Sequence, residues 1–170
     1  MTKAALLTTL LAVTAGVACA DNDINAPCDS PEYRQFDFWL GHWQVFDSDS
    51  GDTVGENRIE RIHSGCALQE SWTGAKTSRG SSFNIYDKNS GQWHQSWVDN
   101  SGLLLRLNGG LDAEGRMVLS GPGVNAEGAA ITHRITWIPG DNQVRQQWHV
   151  SEDGGESWKA VFDGTYKRKK

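Results

Sequence analysis

The sequence has little of what most enzymes and membrane proteins display. Its 170 residues include only 4 Pro, 3 Cys and 2 Met, and no apolar run beyond the first 20 residues is long enough to span a membrane. It has no P-loop, no GxGxxG fingerprint and no GxSxG elbow. Its 5 His are scattered, with no HExxH pattern and no close pair, so we expect no metal site.

Positive charge is also scarce over most of the chain. There are 16 basic against 21 acidic residues, a formal net charge of −5, and the basic residues include all four at 167–170. Because contact with phosphates requires a basic face, we expect no nucleic-acid partner.

Tryptophan and glycine, in contrast, are abundant. The chain contains 8 Trp and 19 Gly, and its mean hydropathy is −0.53. Rigid rings combined with many glycines are typical of an all-β chain with tight turns. This composition argues against a disordered chain, a coiled coil and a polytopic membrane protein.

The N-terminus reads as a targeting segment. Residues 1–20 combine Lys3, an apolar run and an A-x-A site that ends at Ala20, the pattern of a secretory signal peptide. We therefore expect cleavage after Ala20 and a periplasmic or secreted protein. Lipoprotein processing at Cys19 is the alternative, but Gly16 stands where such signals usually carry Leu.

The remaining chain is predicted to contain a flexible segment at 21–29 and one domain at 30–170. Cys28 and Cys66 would then be the remaining cysteines. An even number of cysteines in an oxidising compartment predicts a disulfide, and two free thiols are the alternative.

The domain is predicted to be a β-barrel. Ser30 as an N-cap and Pro31 in the first turn predict a short helix that runs through Trp39 and ends at Gly41. Turns rich in Gly and Asn then separate ten predicted strands, at 42–48, 53–63, 66–73, 80–87, 92–99, 102–108, 116–121, 128–138, 143–151 and 157–167. Such a meander leaves two exposed edges unless it closes, which favours an antiparallel up-and-down barrel over a sandwich.

A family resemblance supports this fold. Gly41-His42-Trp43 after a short helix resembles the G-x-W signature of lipocalin and calycin barrels. The longer motifs resemble a family of secreted bacterial proteins of unknown function with an FDFWLGxW opening; they are FDFWLGHW at 36–43, GCALQESW at 65–72, NIYD at 84–87, WHQSWVD at 93–99 and FDGTY at 162–166. The resemblance implies that Gly41 and Trp43 close one barrel end and that Lys167 or Arg168 stacks on Trp43. It implies no established activity.

A second motif, SEDGGESW at 151–158, resembles the Asp-box turn. We interpret it as structural, because an Asp that caps backbone N–H groups, two glycines and a Trp beneath them account for the whole motif.

The strands mix Trp with polar residues on the same faces, which is typical of a partly polar pocket. A barrel filled by its own side chains is the alternative. We expect the barrel to be a monomer or weak dimer that binds a small apolar or aromatic molecule. The candidate binding residues are Glu70, Trp72, Asn84, Gln95, Trp97, Arg106 and Trp148.

Two other functions remain open, although the sequence leans against an enzyme. An isomerase or hydrolase would use Glu70 or His94 as its acid or base, but burial statistics favour a solvent-facing or arginine-paired Glu70. A protein-interaction module would have a filled barrel. We expect no cofactor; haem bound by His133 or His149 is the alternative considered.

Overall fold

A computed structural model describes residues 28–169, which form a closed barrel of ten antiparallel strands. Each strand pairs with the next along the chain, and β10 returns to pair with β1. The predicted barrel is thus confirmed, with strand ends within about three residues of those expected. The strands are β1 (Gly41–Asp47), β2 (Thr53–Ile62), β3 (Ala67–Gly74), β4 (Arg79–Asp87), β5 (Gln92–Asp99), β6 (Leu104–Leu111), β7 (Met117–Val124), β8 (Ala130–Gly140), β9 (Gln143–Ser151) and β10 (Lys159–Arg168).

The predicted N-terminal helix is instead two short 3-10 helices, Pro31–Arg34 and Asp37–Trp39. Phe36 and Trp39 are both fully buried, and a spacing of three residues brings two side chains to one face of a 3-10 turn. Ser30 precedes the first helix, but its hydroxyl donates to the Glu32 carboxylate and caps no backbone N–H.

The predicted signal peptide at 1–20 and residues 21–27 of the predicted flexible segment lie outside the described residues. Among residues 28–169, no helix is long and apolar enough to cross a membrane.

A cluster of aromatic rings, here named the closed end, fills one end of the barrel. Phe36 is at its centre, with ring centroids 4.8 Å from Trp39, 5.5 Å from Trp93 and 5.1 Å from Trp137. Trp43 completes the cluster, and its indole N–H donates to the Trp39 carbonyl at 2.9 Å. The 3-10 helices therefore supply part of the core.

The N-terminal segment is fixed against the closed end. Cys28 forms the predicted disulfide with Cys66, just before β3. Asp37 of the second 3-10 helix also forms an ion pair with Arg61 of β2. These contacts hold the two helices across the barrel end.

The C-terminal strand covers the same end from outside. The Arg168 guanidinium lies 4.5 Å from the Trp43 ring centroid, in the position that the lipocalin resemblance implied for Lys167 or Arg168. A Cβ at Gly41, whose φ is +137°, would overlap the Arg168 guanidinium. Glycine therefore permits this close approach.

Arg168→Met should lower the free energy of unfolding by about 0.5–1 kcal/mol, because it removes the cation while keeping an apolar stem over Trp43. Urea denaturation followed by tryptophan fluorescence measures this loss. Lys159→Met, an exposed charge on the same strand, is the control and should change stability by less than about 0.5 kcal/mol. Equal losses in the two variants would contradict a specific contact with the ring.

The Asp-box motif forms the turn between β9 and β10. The Asp153 carboxylate accepts hydrogen bonds from the Ser157 N–H at 2.9 Å and the Ser151 hydroxyl at 2.7 Å. The Trp158 indole donates to the Gly155 carbonyl at 3.0 Å. Several hydrogen bonds, of which those from Ser157 have the largest effect, hold the pKa of Asp153 well below its usual range. All of these contacts are local, as expected of a structural turn.

Candidate ligand cavity

The inner face of the barrel is arranged in three layers. Alternation along each strand places every second side chain inward. On three strands these inward side chains follow the same order of residue types. Moving away from the closed end, each meets an apolar, then a polar, then an aromatic side chain: Leu68, Glu70 and Trp72 on β3, Trp93, Gln95 and Trp97 on β5, and Val144, Gln146 and Trp148 on β9. We name the aromatic end the mouth.

A cavity of about 240 Å³ occupies the space between the polar layer and the mouth. Its apolar walls are Trp72, Trp97, Leu105, Ile135, Trp148 and Phe162, and its polar floor is Glu70, Gln95, Gln146 and Tyr166. Ser78, Asp99 and Val161 complete the lining near the rim. The interior is therefore not completely filled by side chains.

Glycines make room for the aromatic walls. A Cβ at Gly80 would overlap the ring of Trp97, and a Cβ at Gly55 would overlap that of Trp72. Each of these glycines lies on the strand next to its tryptophan. The missing side chains leave the space that the two indole rings occupy.

The three wall tryptophans use their N–H groups within the protein. They donate to neighbouring side chains: Trp72 to the Ser78 hydroxyl at 3.2 Å, Trp97 to the Asp99 carboxylate at 3.3 Å and Trp148 to His133 Nδ1 at 3.2 Å. The indole N–H groups are thus occupied, and the walls present ring carbons to the cavity.

Glu70 is the acidic group at the floor, and the expectation that it faces solvent or pairs with arginine is wrong. It is 4% exposed, and its carboxylate accepts from the Asn57 amide at 2.7 Å and from the Ser82 hydroxyl at 2.6 Å. Burial raises the pKa of Glu70 to about 7, although bonds from Ser82 and Asn57 favour the ionised form and limit the rise. The reason for its position is the alternation of β3, which places Glu70 on the same face as Leu68 and Trp72.

Two short chains of hydrogen bonds extend from Glu70. On one side, Ser82 accepts from the Asn84 amide at 2.9 Å, and Asn84 accepts from the Gln95 amide at 2.8 Å. On the other side, Asn57 also donates to the Tyr166 hydroxyl at 3.3 Å. These contacts support the carboxylate from β2, β4, β5 and β10.

Most of the predicted binding residues come together at this cavity. Glu70, Trp72, Gln95, Trp97 and Trp148 line it. Asn84 is fully buried behind the floor and contacts Gln95. Sequence reasoning missed Asn57, Ser82, Gln146, Phe162 and Tyr166. Of these, Gln146 could have been predicted, because strand alternation places it on the same face of β9 as Trp148.

Four other residues considered from the sequence do not line the cavity. Arg106 is exposed between the inward-facing Leu105 and Leu107, and His94 bonds to Asn108 and Ser96 on the outer face. His133 is buried, which lowers its pKa, but it lies behind Trp148. His149 follows Trp148 and faces the other side of β9.

The part of the chain that the structure describes contains no group of three or more His, Cys, Asp or Glu side chains that could hold a metal ion.

The fold and the cavity define a class: a closed ten-stranded antiparallel barrel, compatible with lipocalin-like barrels, that has an internal cavity opening between aromatic residues. No protein-family model and no curated protein matches the sequence.

Proposed function

We propose that this protein is an exported barrel that binds a small apolar or aromatic molecule, similar to the secreted bacterial family whose opening motif its sequence resembles. The observation that carries the proposal is the aromatic-walled cavity inside the closed barrel. The disulfide between Cys28 and Cys66 is consistent with an oxidising compartment.

The volume of the cavity limits the ligand. About 240 Å³ is below the range of roughly 300–1,000 Å³ common for sites that hold drug-sized molecules. The walls are ring carbons and aliphatic side chains, while polar atoms are concentrated at the floor. These features fit a molecule with one or two rings and a polar group at one end.

Two measurements test the proposal. Native mass spectrometry of protein isolated from its source should detect a co-purified molecule of this size. Calorimetric titration with indole and phenethyl alcohol should show binding at a single site. A protein that carries no small molecule and binds neither probe would contradict the proposed function.

Gly80→Ala should weaken binding about tenfold, or about 1.4 kcal/mol of binding free energy, because the added methyl group displaces Trp97 into the space that the ligand would occupy. Gly110→Ala is the matched control, since a Cβ at Gly110 meets no atom within 4 Å. The measurement is the Kd of each variant for phenethyl alcohol. Equal affinities in the two variants would show that Trp97 is not part of the binding wall.

An enzyme is the second candidate, and the position of Glu70 favours it. A buried carboxyl group with a pKa of about 7 at the floor of a cavity is suited to general acid or base catalysis. His94 lies outside the cavity and takes no part in this proposal. If a bound molecule is isolated and the protein converts it, Glu70→Gln should abolish turnover and leave binding measurable.

A protein-interaction module with a filled barrel is less well supported, because the interior contains a cavity. Four exposed apolar residues on the outer face of β4–β6 are the observation in its favour: Phe83, Ile85, Val98 and Leu104. The predicted monomer or weak dimer is tested by sedimentation velocity at increasing protein concentration.

A further inference from the structure

The charged side chains that line the cavity are all acidic. Two carboxyl groups, those of Glu70 and Asp99, line it, and among the described lining residues there is no Lys, Arg or His. Arg79, at the start of β4, donates to carbonyls of the β3–β4 loop and is not part of the lining. The acidic side chains therefore face the cavity without a basic partner in its wall.

Glu70 and Gln95 supply hydrogen-bond acceptors at the floor, whereas the carbonyl of Gln146 is used by the Tyr166 hydroxyl. The Glu70 carboxylate accepts from Asn57 and Ser82, and each of its oxygens has capacity for a further donor. Gln95 donates its amide N–H groups to Asn84 and Ser82, so its carbonyl oxygen is the group left to bond with a ligand. A ligand group that donates several hydrogen bonds would fit this floor better than one that only accepts them.

The tryptophan walls suit a ligand that contains both a cation and a ring. The N–H groups of Trp72, Trp97 and Trp148 are occupied by protein partners, so these indoles contribute ring carbons to the cavity wall. The face of an indole attracts a nearby cation and also stacks with another ring.

We propose that the cavity selects molecules that join an apolar or aromatic ring to a protonated amine, with the ammonium group at Glu70 and the ring between the wall tryptophans. This inference rests on the proposed binding function and specifies its ligand class. A primary ammonium group carries three donors and one positive charge, which matches both the acceptors and the net charge of the lining.

Titration of Glu70 would make this binding depend on pH. Its carboxylate form attracts an ammonium group, so affinity for an amine should rise with pH toward and above the pKa of about 7. Asp99 does not titrate in this range: burial opposes ionisation, but bonds from Ser101 and Trp97 keep its pKa low. Burial raises the pKa of Tyr166, which is therefore neutral there, and burial lowers the pKa of His133, which is therefore neutral above its ordinary pKa of 6.5.

Three probes of similar shape and different charge test the inference: phenethylamine, phenethyl alcohol and phenylacetate. Calorimetric titration at about pH 8, above the pKa of Glu70, gives the Kd of each for the full-length protein. We expect the amine to bind about tenfold more tightly than the alcohol, and phenylacetate to bind least tightly. Glu70→Gln should reduce the preference for the amine over the alcohol to about twofold.

Glu60→Gln is the control, because it removes the same charge from an exposed position on β2 and should keep the tenfold preference. Equal affinities of the wild-type protein for amine and alcohol would overturn the amine inference while leaving the proposed binding function intact. A preference that persists in Glu70→Gln would also overturn it. Failure of all three probes to bind would contradict both proposals.

Discussion

The ionisation of Glu70 should cost the protein about 3 kcal/mol of stability as the pH rises from about 4.5 to about 8, and Glu70→Gln should remove this contribution. In the folded state burial raises the pKa of Glu70 from 4.5 to about 7. Between these values the folded protein holds a proton that the unfolded chain has released. The free energy of unfolding therefore falls by about 1.4 kcal/mol per pH unit in this window.

The sign follows from which state binds the proton. The contribution of Glu70 is most favourable below its unfolded pKa of 4.5 and is lost as the pH rises through its folded pKa of about 7. Above that value both states are ionised and the loss is constant. His133, whose pKa is lowered by burial, acts in the opposite direction over part of the window, so the comparison of wild type with Glu70→Gln isolates Glu70.

Urea denaturation at several pH values measures this effect. Glu70→Gln should match the wild type near pH 4.5 and exceed its free energy of unfolding by about 3 kcal/mol near pH 8. The substituted glutamine keeps a side chain of the same shape within reach of Asn57 and Ser82. Glu60→Gln, which alters an exposed side chain, should follow the wild type at every pH. A constant difference between Glu70→Gln and wild type would show that the carboxyl is not held in a desolvated state.

Much of the fold could be predicted because turn chemistry is local. Gly91 and Gly115 have positive φ, a conformation that suits glycine, and they mark two of the hairpin turns. The alternation of Leu103, Leu105 and Leu107 likewise indicates a buried face for β6. Arg106 lies on the opposite face of that strand, so the same alternation argues against its place among the binding residues.

The polar floor could not be predicted in the same way because its contacts join distant parts of the chain. Glu70 is stabilised by Asn57 from β2 and Ser82 from β4, and only the register of three paired strands brings these residues together. A general burial statistic for glutamate takes no account of such partners. It therefore favours the wrong environment for Glu70.

The contribution of β10 was missed for a related reason. A register shift between Ala160 and Phe162 marks a bulge in its pairing with β9, and a bulge changes which residues face inward along a strand. Phe162 consequently lines the cavity at the mouth and Tyr166 at the floor. Simple alternation counted from the Asp-box turn does not indicate these positions.

The largest loss of stability is expected for Trp137→Ala, about 3–5 kcal/mol. Trp137 is fully buried, and its ring centroid lies 5.1 Å from that of Phe36 and 5.3 Å from that of Trp39. Its replacement by alanine leaves a cavity among rigid rings that cannot collapse to fill it. Urea denaturation near pH 7 measures the loss.

Trp137→Phe is the matched control. The Trp137 indole N–H is buried without a hydrogen-bond partner among the described residues, so phenylalanine removes an unsatisfied donor together with part of the ring. We expect this variant to lose only about 1 kcal/mol, because the two effects have opposite signs. A loss as large as that of Trp137→Ala would show that the whole indole is needed to close the barrel.

Trp97→Ala completes the comparison between the two ends of the barrel. Trp97 is half-buried at the mouth, so its replacement should destabilise the protein less than Trp137→Ala but weaken binding of phenethyl alcohol about tenfold. Trp137→Ala, measured under conditions where it is folded, should keep the wild-type Kd. Separate effects on stability and on affinity would follow directly from the layered interior, in which aromatic rings fill the closed end and form the walls of the cavity at the mouth. Loss of binding in Trp137→Ala would contradict this separation.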